Sequence, residues 1–158
     1  MKSKGTSGHY ACAVGKAIYT AEAHVTGGRM AGHGRTSDGA LEVDIRIPPE
    51  LGGEEPGTNP EQLFAVGYAS CFENALAAVA RRAKVEVDDV AVDSKVMLVT
   101  AENRAFTIAV ELAVTLPSLE EEKAVELVEA AHKVCPYSNA TRGNIDVTLS
   151  ANGSPVNA

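Results

Sequence analysis

The chain has 158 residues, 45% of them apolar, which suits one domain with a sizeable core. Fourteen Lys and Arg stand against 21 Asp and Glu, a formal net charge of −7, and the basic residues form no run. Nucleic acid and anionic membrane surfaces are therefore disfavoured as partners. No stretch reads as the roughly 20 apolar residues of a membrane span, and the start, MKSKGTSGHYACAVGKA, lacks the apolar centre of a signal peptide. The expectation is a cytoplasmic protein. Three cysteines, Cys12, Cys71 and Cys135, are too few and too far apart for a secreted disulfide scaffold.

Residues 1–16 are Gly/Ser/Lys-rich and lack periodicity, so they are expected to form a mobile extension ahead of one domain over 17–158. Strands are expected over 16–25 and 30–35, joined at Gly27-Gly28. SDG at 37–39 is a hairpin signal, and LEVDIRI after it puts Leu41, Val43, Ile45 and Ile47 on one face. The segment PPELGGEEPGT, 48–58, is a loop.

A long helix follows. Asn59 can cap it with Pro60 at its first position, and in the register shifted by one, Thr58 and Glu61 make a capping box. Phe64, Gly67, Tyr68, Cys71, Phe72, Ala75, Leu76 and Val79 recur at helical spacing, so Cys71 lies on the stripe facing the core. Two strands, 90–100 and 105–117, are expected around a turn at AENR. Ser118 and Glu121 form a capping box for a second helix that Pro136 stops, leaving Cys135 at its end. NIDVTLSA, 144–151, is the last strand. The order predicts an α+β domain with mainly antiparallel sheets and two main helices.

Each chemically suggestive residue has an ordinary reading beside it. A helix cysteine is most often a small core hydrophobe, and a first-turn Glu61 satisfies free amides and the helix dipole. Arg29 after two glycines can be a surface charge at a turn. A helix C-terminus repels negative charge, which disfavours Cys135 as an attacking thiolate and leaves it available as a second thiol.

Three stretches, TGGR (26–29), GTNPEQLFAVGYASCFENAL (57–76) and HKVCPYSNATRGNIDV (132–147), resemble the organic hydroperoxide resistance proteins of the OsmC-like superfamily. The likeness runs from about residue 19 to 149. It implies an intertwined homodimer that reduces alkyl and fatty-acid hydroperoxides through cysteine chemistry, with no cofactor and no metal. It also implies that Cys71 is the peroxidatic thiol and Cys135 the resolving thiol, with Arg29 stabilising the thiolate and Glu61 holding Arg29. Reduction by a dithiol, carried on a lipoylated protein, is implied in the same way. Phe64, Tyr68 and Phe72 are expected to line the site for a greasy substrate.

Helical geometry adds one expectation. Glu61 and Cys71 are ten residues apart, about 15 Å along a continuous helix at ~1.5 Å per residue. One arginine cannot touch both, so either the helix breaks near Gly67 or Arg29 and Glu61 meet the Cys71 of a second subunit, the arrangement favoured here. Three rival readings are weaker. A metal site at His132, Cys135 and Cys71 lacks a fourth ligand, and acyl transfer by Cys71 lacks a base other than His132. An apolar-ligand binding module of the same fold would use both cysteines as core.

Overall fold

The computed structural model of the protein describes residues 15–54, 56–100 and 105–157. Cys12, most of the expected extension and the AENR turn lie outside the described residues. A three-stranded antiparallel sheet comes first: β1 (Ala23–Thr26), β2 (Gly32–Thr36) and β3 (Glu42–Ile45). The expected strand over 30–35 begins two residues late, because Gly28–Ala31 forms one helical turn, α1, between β1 and β2. The first strand is also shorter than expected, starting at Ala23. Of the alternating residues after the hairpin, Ile45 is buried while Leu41 is exposed.

Among its described residues the loop 48–58 holds one 3-10 turn, Pro49–Leu51, and it returns to the sheet at its far end. There Arg46 N donates to Thr58 O (2.8 Å) and Thr58 N to Asp44 O (2.9 Å). The chain enters the long helix α2 (Pro60–Ala83) directly from that anchor. Asn59 is its cap, accepting from Gln62 N through Oδ1 at 2.9 Å. This settles the register that the sequence left open: Asn59, not Thr58, is the cap. No break occurs at Gly67.

Strands β4 (Ala91–Thr100), β5 (Phe106–Thr115), β6 (Val147–Ala151) and β7 (Ser154–Val156) form the second sheet in that order. β4 and β5 are antiparallel over ten pairs, and β6 runs parallel to β5. The crossover from β5 to β6 carries α3 (Glu121–Val134) and a short α4 (Pro136–Thr141). The core is one layer of helix on sheet. Tyr68, Phe72, Leu76 and Val79 of α2 meet Val110, Leu112 and Val114 of β5, with Leu127, Val128 and Ala131 of α3.

By length and composition α2 suffices to cross a membrane, contrary to the sequence reading. Its apolar stripe is instead spent on this core.

One helix-boundary expectation fails for a tertiary reason. Glu120, not Ser118, stands at the cap of α3, and no side chain caps it. Ser118 sits in a turn closed by Leu119 N to Leu116 O (3.0 Å), and Glu121 accepts from Ser154 Oγ on β7. The other boundary is as expected: α3 ends at Val134 with Cys135 at its C-cap, and Pro136 then opens the separate short helix α4, where its missing N–H costs nothing.

Strand β7 was absent from the sequence reading although its signal was present. Asn152 and Gly153 both have positive φ (48° and 87°), the Asn-Gly geometry of a tight hairpin. The Asn152 side chain accepts from Leu116 N (2.7 Å) and donates to Leu116 O and Leu119 O (3.0 and 3.1 Å), tying the hairpin to the end of β5. Asn152→Ala loses all three bonds, and with the left-handed backbone left to alanine the expected cost is about 2–3 kcal/mol. Calorimetry should show a fall in Tm of roughly 4–10 °C for a chain of this size.

Candidate functional site

Arg29 is placed by glycine. Gly27 has φ +76° and Gly28 φ +61°, so the chain leaves β1 through left-handed backbone and turns at once into α1. A Cβ on Gly27 would run into the Ala31 carbonyl, whose carbon would lie 2.9 Å away. The turn therefore needs glycine at 27 and presents the next side chain but one towards the start of α2.

There Arg29 meets Glu61 as a two-pronged ion pair, with Nη2 to Oε1 at 2.6 Å and Nη1 to Oε2 at 2.9 Å. The Glu61 side chain is 16% exposed and that of Arg29 37%. Hydrogen bonding from Arg29 holds the Glu61 carboxyl below its ordinary range against the opposing effect of burial. The same bond raises the Arg29 pKa, so both groups stay ionised. A planar guanidinium held by two parallel bonds keeps a fixed orientation. A cavity of about 530 Å³ opens beside this pair, walled by Phe64, Leu98, Phe106, Ile108 and Ile145.

Cys71 lies nearly three turns further along α2, half-buried, and Cys135 is wholly buried at the junction of α3 and α4. Both are free thiols, and Cys135 Sγ donates to Cys71 Sγ at 3.7 Å. Residues 64 positions apart are thus adjacent.

Burial pushes the Cys71 thiol above its ordinary range, and the neighbouring Cys135 adds to that; a bond from the Tyr137 backbone amide pulls the other way. Within one chain the guanidinium is on Glu61, ten residues up an unbroken helix, and does not figure among the influences on this sulfur.

The aromatic residues divide. Phe64 borders the Arg29 cavity, whereas Tyr68 and Phe72 have no exposed surface and belong to the core. Tyr68 bonds through its hydroxyl to Ser138 Oγ (3.0 Å) and Thr141 Oγ1 (3.2 Å) on α4. Tyr137, Ser138 and Thr141 carried no role in the sequence reading, although they lie in the CPYSNAT stretch; the helical restart at Pro136 is the signal that places them beside α2.

His132 is buried, with Nδ1 lacking a partner, and burial together with the Arg142 guanidinium pushes its imidazole below the ordinary range. No group of three or more His, Cys, Asp and Glu side chains fit to hold a metal occurs among the described residues.

Residues 52–150 match the family of OsmC-like proteins. The chain belongs to that family. It is 50% identical over 136 residues to the organic hydroperoxide resistance protein of Xanthomonas axonopodis pv. citri, covering 85% of this chain and 94% of that one. It is 48% identical over 134 residues to the organic hydroperoxide resistance protein OhrB of Bacillus subtilis, with 84% and 97% covered.

Among solved structures, an organic hydroperoxide resistance protein of Legionella pneumophila superposes with TM-score 0.81 at 50% identity, covering 85% of this chain and 98% of that one. One from Vibrio cholerae, with captopril bound in one of its active sites, gives 0.84 at 46% identity, with 89% and 96% covered. The names of these relatives support organic hydroperoxide resistance as the general function of this OsmC-like chain.

Gly27→Ala tests the turn that presents Arg29. A left-handed alanine costs about 1–2 kcal/mol, and the clash with the Ala31 carbonyl must swing α1 away from Glu61. Organic hydroperoxide consumption should fall by about tenfold or more, since an ångström of misplacement can cost that much. Thermal unfolding should show most of the fold intact.

Proposed function

We propose that this protein is a thiol peroxidase that reduces organic hydroperoxides to alcohols, with Cys71 as the attacking thiol and Cys135 as the resolving one. The observation that carries the reading is the pair of free sulfurs 3.7 Å apart, one half-exposed and the other wholly buried. The exposed sulfur is the one a peroxide can reach. The Cys71 thiolate attacks the terminal peroxide oxygen, the O–O bond breaks, alcohol leaves with a proton, and Cys71 sulfenic acid remains. Cys135 then displaces the sulfenic hydroxyl as water and a disulfide forms. A dithiol of the lipoyl type, on a partner protein, reopens it by exchange. The need to keep both thiols reduced suits the cytoplasm.

An organic substrate is favoured by the apolar walls beside Arg29, where Phe106 is 73% exposed in the single chain. Hydrogen peroxide would gain nothing from such a surface.

The thiolate requires a cation that the single chain does not bring to it, and we infer that a homodimer supplies it. Val66 is 71% exposed and lies midway between Glu61 and Cys71 on the open face of α2. A two-fold axis at Val66, with the two copies of α2 antiparallel, would cover this apolar spot. It would also set each Arg29–Glu61 pair beside the partner's Cys71. The unbroken helix supports this arrangement, because it removes the alternative of a bend at Gly67.

Thiol titration after one equivalent of an alkyl hydroperoxide should show the loss of two thiols per chain. Cys71→Ser should consume none, and Cys135→Ser should consume the first equivalent and stop at sulfenic acid or beyond. Unchanged thiols in the parent would leave an apolar-ligand binding module as the better reading.

Subunit exchange between Arg29→Ala and Cys71→Ser proteins should restore activity, because one site of the heterodimer then has both groups. In the dimer the Cys71 thiolate absorbance should titrate below the ~8.5 of a free thiol, and Arg29→Ala should raise it. Proven heterodimers without activity would place Arg29 in its own chain's site.

A further inference from the structure

Helix α4 has six residues, too few to hold its shape by its own hydrogen bonds. Yet it carries two groups that bear on Cys71. Cys135, whose sulfur bonds to that of Cys71, is the residue immediately before its first turn, and the backbone of Tyr137 in that turn draws the Cys71 pKa down. The position of α4 against α2 therefore sets where the second sulfur stands.

That position is held from α2 by Tyr68, one turn before Cys71 on the same helix. The Tyr68 hydroxyl bonds with Ser138 Oγ at 3.0 Å and with Thr141 Oγ1 at 3.2 Å. The Thr141 hydroxyl also reaches the Tyr137 carbonyl at 2.9 Å, so the three hydroxyls form one chain that runs from α2 into the backbone of α4. All three residues are buried, where an unmade bond is expensive and a made one is stiff. Above them the Tyr137 ring packs on Tyr68 and Phe64, with centroids 5.6 and 5.7 Å away. It lies over Gly67, where a Cβ would stand 3.2 Å from the Tyr137 hydroxyl. The glycine makes room for α4.

We propose that the Tyr68 hydroxyl is the positioning group of the resolving step, and that by holding α4 it divides the Cys71 sulfenic acid between disulfide closure and further oxidation. This rests on the cysteine mechanism proposed above. In closure the Cys135 sulfur attacks the Cys71 sulfur; the S–S bond forms, the S–O bond breaks, and the departing hydroxide takes the Cys135 proton as water. The oxidising equivalents come from the first hydroperoxide alone. In the competing step a second hydroperoxide transfers oxygen to the sulfenic sulfur, leaving sulfinic acid and a second alcohol. The sulfurs start 3.7 Å apart and must come to about 2.05 Å. Closure is therefore sensitive to small displacements of α4, while attack on the peroxide by Cys71 is not limited by that distance.

The test uses Tyr68→Phe, which keeps the ring and removes the hydroxyl, with Thr141→Val as the second variant. Each is mixed with one and with ten equivalents of tert-butyl hydroperoxide, and Cys71 is followed by mass spectrometry. Closure should slow about tenfold, with sulfinic acid rising in proportion, while sulfenic acid formation changes by no more than about threefold. A separate arm needs no peroxide: in mixtures of oxidised and reduced glutathione, the effective molarity of the Cys71–Cys135 pair should fall about tenfold in either variant. The double variant should lose no more than the single ones, since the two hydroxyls act as one chain. Parent-like partition and effective molarity in folded variants would overturn the proposal, as would an equal loss in both oxidation steps. Failure of the parent to oxidise Cys71 with peroxide, while it still closes in glutathione, would instead overturn the peroxidase reading.

Discussion

Residues ten positions apart on a straight helix are held apart by the backbone itself, and no side-chain rearrangement brings them together. On α2 that separation lies between Glu61, which fixes Arg29, and Cys71, which faces Cys135. The helix is unbroken because nothing on it favours a break. Asn59 caps it, Pro60 stands where proline is harmless, and Gly67 is held straight by the Tyr137 ring packed over it. One chain therefore has two half-sites, a cation clamp and a thiol pair, on one rigid rod.

The two halves are built by different means. The clamp depends on backbone: left-handed glycine at 27, one turn of α1, and the bridge from Thr58 to β3 that ends the loop where α2 begins. A two-pronged guanidinium–carboxylate pair then needs only that both ends be rigid. The thiol pair depends on packing. Cys71 faces Cys135 because α3 and α4 lie across α2 on the same side as the sheet, and because three buried hydroxyls fasten the last turn.

Burial raises the Cys71 pKa, and a thiol kept protonated is a weak nucleophile and a poor target for stray oxidants. The Arg29 charge meanwhile is balanced by Glu61, and each group keeps the other ionised.

Much of this architecture was legible in the residues. The start of α2 near Pro60, the glycine turn before Arg29, the alternation in β5 and the membership of Cys71 in an apolar stripe are local patterns. Local sterics and periodicity decide them whatever surrounds them. The Ser118–Glu121 box was equally local in form and did not appear, because Ser118 was drawn into a turn and Glu121 bonded to Ser154 on β7. A cap is worth about 1 kcal/mol, and a tertiary contact of similar strength can replace it.

What only the tertiary structure decided are the contacts between distant residues. These are Arg29 with Glu61 across 32 positions, Cys71 with Cys135 across 64, and Tyr68 with Thr141 across 73. Periodicity names the face on which a residue lies, but the partner across that face depends on how sheets and helices stack. That is why the amino-acid order determined which residues were available for chemistry, while packing decided that the two thiols meet within a chain and the arginine does not reach them.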